Sequence, residues 1–470
     1  MEHEDSKFYQ RKWTQVLLLL GFCFVFYFLA LDQSELRKGD EIRYARIAQE
    51  IVTGGDWVSL HLHGQPYMDK PPLFFWLIAF SSYLWGGFAS FSARFPSAFL
   101  GTFAVLITFF MGKSLYDSKT GFLSGLILAT SFLFARYSTR ANIDATLTFF
   151  TTASLFSFLQ WYRCSKQESE GQMGIWRLSI YGFYVGMGLA TLTKGPVGFL
   201  LPLLVGLVYL LIQKDWKGIK RMRIFSGMLL FLAVVLSWYL PAVIKGGQAY
   251  LNETLFHQSI DYYSKGWDHP KPIYFYLCNF PVDFLPWTLF LPGAMAYGYS
   301  KDCYGKRKEF LFLLTWFVVP FLFFSFSAGK RDLYLLPLYP AASLMVGKLF
   351  GDFIFNRIER FRREWISLPL YVLMGLILIA GLTIFWLLSK EFPFYSPYSL
   401  PIACFLVGGG VVLFFLCHFR RYGTIFFLSV LMIAVGFFYA ENLLMPLENQ
   451  LKSTHSIFLE IEKEISLLFP

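Results

Sequence analysis

Charge is what this chain is short of. Only 15% of its 470 residues are Asp, Glu, Lys or Arg, where a soluble protein carries about 25%. Hydrophobic residues make up 56% and the mean hydropathy is +0.50. The apolar residues fall in long runs, which marks a polytopic, all-α membrane protein. No small-residue cleavage site follows the first run, residues 16–31, and further runs do, so it reads as a first span rather than a signal peptide. The six cysteines (23, 164, 278, 303, 404 and 417) have no metal spacing and mostly sit in or beside apolar runs. Neither disulfides nor zinc are expected from them. There is no glycine-rich nucleotide loop, internal repeat or soluble domain. The net charge of +10 would suit nucleic acid, but in a membrane protein basic loops gathered on one face account for it, and no nucleic-acid partner is expected.

Thirteen spans are expected, near 15–31, 95–113, 121–136, 143–162, 178–193, 197–212, 224–243, 282–299, 310–327, 333–351, 367–388, 399–418 and 424–440. A fourteenth apolar run, 73–89, decides the orientation. With the N-terminus cytoplasmic and 73–89 not crossing, residues 1–14 and the loops near 114–120, 163–177, 213–223, 300–309, 352–366 and 419–423 share one face. Together with Lys113 and Lys348 they hold 24 of the 41 Lys and Arg but 12 of the 31 acids. Lys and Arg in short loops mark the cytoplasmic side. Were 73–89 to cross, the most basic loops would lie outside. It therefore reads as re-entrant or interfacial, in keeping with Pro71-Pro72 before it and Gly86-Gly87 within it. The other face collects loops 32–94 and 244–281 and several tight turns. Residues 1–440 form the transmembrane domain, and 441–470 a short tail with the pattern of an amphipathic helix.

The opposite face carries the chemistry. Residues 39–72 are dense in ionisable groups, and Ile42, Ala45, Ile47, Ala48 and Ile51 give an apolar stripe at helical spacing. Asp40-Glu41 at the start of that helix suit capping. With Arg43 and Tyr44 one turn on, they also suit a base beside a cation that grips phosphate. Asp69-Lys70-Pro71-Pro72 returns an acid and a base to the same surface. Asp144 begins an apolar helix, where an unpaired carboxylate is costly; Arg140, one turn earlier, is its local partner. Lys194-Gly195-Pro196 and Gly329-Lys330-Arg331-Asp332 place further cations on this face, and Tyr334 follows. Lys194 either snorkels to the interface or fixes a lipid phosphate. Asp69 and His257 could together hold a divalent ion, but two ligands do not define a metal site, and no cofactor is assigned.

These motifs together resemble the bacterial aminoarabinose transferases of lipid A modification, and more distantly the protein O-mannosyltransferases, within the GT-C class of integral-membrane glycosyltransferases. The carriers are Asp40-Glu41-x-Arg43-Tyr44-Ala45-x-Ile47, Gly55-Asp56-Trp57, Tyr67-x-Asp69-Lys70-Pro71, Ala93-Arg94-Phe95-Pro96-Ser97, Asp144, Leu192-Thr193-Lys194-Gly195-Pro196, Pro286-Trp287 and Lys330-x-x-x-Tyr334-x-x-Pro337. The resemblance implies a GT-C fold of about thirteen helices in a bacterial inner membrane, with a periplasmic active face. It also implies an undecaprenyl-phosphate sugar donor and a lipid or glycan acceptor, lipid A among them. By the same token Asp40 is the catalytic carboxylate, with Glu41 and Asp144 as further acidic candidates. Arg43, Tyr44, Lys70, Lys194 and Tyr334 surround the phosphate, and Asp69, Arg140, His257 and Lys330 complete the pocket. Two departures stand out: Asp69 replaces a common Glu, and the larger C-terminal periplasmic domain of the aminoarabinose enzymes is here about thirty residues. The rival expectation is a transporter or flippase of lipid-linked sugars, but those place their sites near the midplane, whereas here the ionisable groups gather at one face.

Overall fold

The computed structural model describes residues 12–29, 31–36, 39–166, 178–254, 270–390 and 396–441. Among them the fold is helical apart from one two-stranded ribbon, β1 (His61–Leu62) and β2 (Gln65–Pro66), paired antiparallel. The helices that frame the site are α1 (Lys12–Cys23), α2 (Asp40–Gly54), α3 (Leu73–Leu84), α4 (Ser90–Leu115), α5 (Ser118–Thr130), α6 (Phe132–Ser138), α7 (Ile143–Lys166), α8 (Ser179–Lys194) and α9 (Pro196–Ile212). After α10 (Trp216–Arg221) come α11 (Ile224–Asn252), α12 (Phe275–Asp283), α13 (Leu291–Gly298), α14 (Arg307–Phe326), α15 (Tyr339–Ile354), α16 (Glu364–Lys390), α17 (Ser396–His418) and α18 (Tyr422–Tyr439).

The exact count of thirteen spans is not confirmed among the described residues. Among the described residues seven helices are long and apolar enough to cross a membrane, or eight if α5 and α6, bent by 70°, count as one. The expected span 282–299 is broken into α12, a 3-10 turn (Trp287–Phe290) and α13. Pro286, which has no N–H for a helical ladder, falls between α12 and the 3-10 turn, and Pro292 occupies the first turn of α13, where the missing N–H costs nothing. Helix α3 has 12 residues, which at 1.5 Å each is ~18 Å, well short of a ~30 Å hydrocarbon core. Gly86 and Gly87 follow it with φ of 74° and 155°, turning the chain directly into α4.

Ion pairs show which loops lie at the same end of the bundle. Arg357 with Asp117 and Lys166 with Asp215 join loops of the basic face. Arg331 with Asp40, Lys245 with Asp56 and Arg140 with Glu441 join loops of the other. Had α3 crossed, residues 39–72 would lie at the opposite end of the bundle from residues 245 and 331.

Most of the bundle shares one apolar core. The loop face has a second, in which Tyr44, Ile47, Ala48 and Ile51 of α2 pack on Phe74, Phe75 and Ile78 of α3. The stripe read from the sequence is thus the buried face of α2. Glu50, on the same helix, accepts from the amides of His63 and Gly64 at 2.9 and 3.1 Å, pinning the ribbon down.

Candidate active site

Asp40 stands at the first turn of α2. Glu41 beside it is buried and accepts from Arg94 Nε and Nη2, both at 3.0 Å, and from the Ala141 amide at 2.8 Å. Arg94 also donates to the carbonyls of Leu31, Ser34 and Glu35. Glu41 is therefore a fastener that locks the start of α2 to α4 and to the 137–142 turn. Its carboxylate is engaged by these donors, which favours a fastening role for Glu41 over a chemical one. Ser97, one turn beyond Arg94, holds the Asn142 backbone, and Asn142 Oδ1 caps α7 by accepting from the Asp144 amide at 2.7 Å. The Ala93–Ser97 motif thus fixes where both Asp40 and Asp144 lie. The Gly55–Trp57 motif does similar work: Asp56 accepts from Val58 N, Ser59 N and Lys245, tying the loop to α11.

With α2 so held, the Asp40 carboxylate faces two guanidinium groups. Oδ1 pairs with Arg43 and Oδ2 accepts from Arg331 Nη2 at 3.0 Å. Arg331 is legible in the sequence only as one cation of the polar turn 329–332, with nothing there to pair it with Asp40. The neighbouring Lys330 is buried and donates to the carbonyls of Lys271 and Ser327. Arg43 Nε and the Tyr67 hydroxyl are buried with no hydrogen-bond partner, so two donors beside Asp40 stand ready for an anion. Tyr67 is a second residue that sequence reasoning left out of the site. Tyr44 is buried edge-on against Phe74 and Phe75, under the Arg43 guanidinium. Burial pushes its phenol well above the ordinary value, so it stays neutral.

Asp144 pairs with Lys194, not with Arg140. Arg140 lies beyond the Asn142 cap and reaches Glu441 at 3.5 Å instead. Lys194 is delivered by the last turn of α8, which packs along α7. There Gly195 turns the chain at φ +76°, and a Cβ on Gly198 would come within 2.2 Å of the Ala190 carbonyl carbon, so α9 can leave this closely only with glycine. The Lys194 ammonium also lies 4.1 Å from the centre of the Tyr334 ring.

A cavity of about 160 Å³ opens beside this pair, walled by Asp69, Lys70, Lys194, Trp238, Tyr239 and Thr254. Lys70 feels the charges of Lys194, Asp69, Asp144 and Arg43, so the cavity and the Asp40 pair share one electrostatic field. Burial, reinforced by Lys194, pushes the Lys70 ammonium down to about 8. Four cations, Arg43, Lys70, Lys194 and Arg331, face three carboxylates, Asp40, Asp69 and Asp144. The excess of one positive charge matches the single negative charge of a phosphodiester. Among the described residues no three His, Cys, Asp or Glu side chains converge on a metal-sized site. His257 lies outside the described residues, as do the 441–470 tail helix beyond Glu441 and the Asp69–His257 metal pairing.

This arrangement belongs to a polytopic membrane protein of GT-C fold. Residues 69–240 match the family model of the dolichyl-phosphate-mannose-protein mannosyltransferases. The chain is 29% identical over 416 residues to undecaprenyl phosphate-alpha-4-amino-4-deoxy-L-arabinose arabinosyl transferase 2 of Pseudomonas fluorescens, covering 87% of this chain and 72% of that protein. It is 33% identical over 338 residues to the corresponding transferase of Pseudomonas aeruginosa, covering 71% and 59%. The chain thus spans about three-fifths of the length of the latter. ArnT of Cupriavidus metallidurans, in a crystal structure bound to undecaprenyl phosphate, superposes with a TM-score of 0.75 at 22% identity over 91% of this chain and 77% of that one. Fold and sequence both resemble the aminoarabinose transferases.

Proposed function

We propose that the protein transfers a sugar from a polyprenyl phosphate carrier to an acceptor, at the periplasmic face of a bacterial inner membrane. The observation that carries this reading is the Asp40 carboxylate held between Arg43 and Arg331, beside unpartnered donors and a cation-lined cavity. The resemblance to proteins named for undecaprenyl-phosphate-linked aminoarabinose supports it, and so does the gathering of charge at one end of the bundle.

The donor phosphate binds against Lys70, Arg43 and Arg331, with the Tyr67 hydroxyl donating to it. The arginines turn from Asp40 to the phosphate as it arrives, and one Asp40 oxygen is freed to take the acceptor proton. The acceptor oxygen attacks the anomeric carbon, the carbon–oxygen bond to the carrier breaks, and the electron pair leaves on the phosphate, where the cations stabilise it. One displacement inverts the anomeric centre. The acceptor is a hydroxyl or phosphate of an envelope glycolipid such as lipid A, or of another envelope glycan or protein. The sugar is a pentose or hexose, an aminopentose by analogy with the relatives' names.

The test is transfer of radiolabelled sugar by purified protein in detergent, where no sealed compartment exists. Transfer with inverted configuration by NMR supports the proposal. Movement of lipid-linked sugar across sealed vesicles without transfer in detergent would favour a flippase, and retained configuration would exclude the single displacement.

A further inference from the structure

A further cavity lies at the far end of the bundle from Asp40. It measures about 400 Å³ and opens where α7 and α9 end and α14 begins, walled by Tyr162, Arg163, Lys166, Tyr209, Lys308 and Glu309 among others. Its floor is aromatic: Tyr162 and Tyr209 are buried, with ring centres 5.2 Å apart at 76°. The Tyr209 hydroxyl donates to the Lys308 carbonyl at 3.4 Å, holding the start of α14 against α9. Arg163 is anchored on Ser114 and Lys166 on Asp215 at 2.7 Å. The one acid in the wall, Glu309, is drawn to Lys306 at 3.5 Å. Three cations therefore line the space; Lys166 is matched by Asp215 and Glu309 by Lys306, which leaves Arg163 and Lys308 without an acidic partner among the residues of the wall.

We propose that this cavity binds the headgroup of an anionic phospholipid on the basic-loop side of the membrane. A phosphate-bearing anion is what Arg163 and Lys308, with the Lys166–Asp215 pair beside them, select around a hollow. The place in the fold favours a lipid over free phosphate. The cavity sits at the ends of membrane-spanning helices, and Leu159, one turn deeper on α7, continues its wall into the apolar zone. Basic pockets between helices on the cytoplasmic side are where such headgroups dock. None of these residues belongs to the Asp40 cluster, so the inference stands apart from the proposed transfer reaction.

Native mass spectrometry of the full-length protein in detergent, with phosphatidylglycerol or phosphatidylcholine added at equal concentration, reads the site directly. The expected result is retained phosphatidylglycerol, reduced roughly fivefold by Arg163→Gln and at least as much by Lys308→Glu, the size of effect expected for a cation beside an anionic headgroup. Lys308 is exposed, so its variant reads the site even if loss of the Arg163–Ser114 anchor prevents folding. Excess inorganic phosphate is expected not to displace the lipid. Equal retention of the two lipids, indifference to both substitutions, or displacement by inorganic phosphate would each overturn the proposal.

Discussion

Asp40 and Arg331 lie 291 residues apart and share a hydrogen bond of 3.0 Å. The pair joins the first helix of the loop face to the turn before α15, so the fold must be complete before the carboxylate is oriented. Arg331→Gln is expected to lower kcat/KM for transfer by about 10- to 100-fold, since a hydrogen bond to a charged group contributes roughly 1.5–3 kcal/mol. Steady-state kinetics with a lipid-linked donor would check it. A loss confined to stability, with kinetics intact, would reduce Arg331 to a brace.

Lys70 gives a pH signature. Burial and Lys194 bring its ammonium down to about 8, below the ordinary lysine value, so it loses its proton as pH rises through 8 while an unfolded chain would keep it. Stability from this group therefore grows with pH above 8, as the buried charge is relieved, while affinity for a phosphate falls. The donor KM is expected to climb above pH 8 and kcat to fall with it, since the same ammonium stabilises the departing phosphate. In Lys70→Arg the climb should vanish, because a guanidinium stays charged. A KM that is flat to pH 9.5 in the parent protein would contradict Lys70 as a phosphate ligand.

The Asp144–Lys194 pair is buried, its side chains 2% and 10% exposed. Removing one partner strands a charge, at a cost of about 3–5 kcal/mol. Asp144→Asn or Lys194→Met alone should thus lower thermal stability more than the two combined. If the double variant is as unstable as the sum of the singles, the two residues do not act as a pair.

Glu41 and Asp40 are adjacent in sequence but opposite in role. Glu41→Gln leaves the buried Arg94 without a counter-charge and is expected to cost about 3–5 kcal/mol of stability, with turnover per folded molecule close to that of the parent. Thermal unfolding paired with active-site titration separates the two effects. Turnover abolished in a fully stable Glu41→Gln protein would restore it as a chemical group.

The sequence exposed some of this and hid the rest for physical reasons. The periodicity of 42–51 marked the buried face of α2, because that face packs on a local partner, α3. The charge asymmetry of the loops placed Asp40, Asp144 and Lys194 on one side, because Lys and Arg density follows topology whatever the packing. Pairing was harder to read. Arg140 was the nearest cation to Asp144 in sequence, but the Asn142 cap comes between them, and α8 brings Lys194 from fifty residues away. Glu41 and Lys330 stand in the same polar motifs as Asp40 and Arg331, and their buried partners, Arg94 and the carbonyls of Lys271 and Ser327, come from parts of the chain that the motifs do not point to. Hydropathy also hid the interruption of the expected span 282–299, an apolar run that prolines divide into short helices.

The most direct measurement is turnover by the Asp40→Asn protein, with donor binding measured on the same sample. Asn keeps the size of the side chain but takes no proton. The expected result is unchanged folding, donor still bound, and transfer reduced by about 10²–10⁴-fold, the usual contribution of a positioned base. Transfer at the parent rate would contradict Asp40 as the base and, with it, the chemistry assigned to this face.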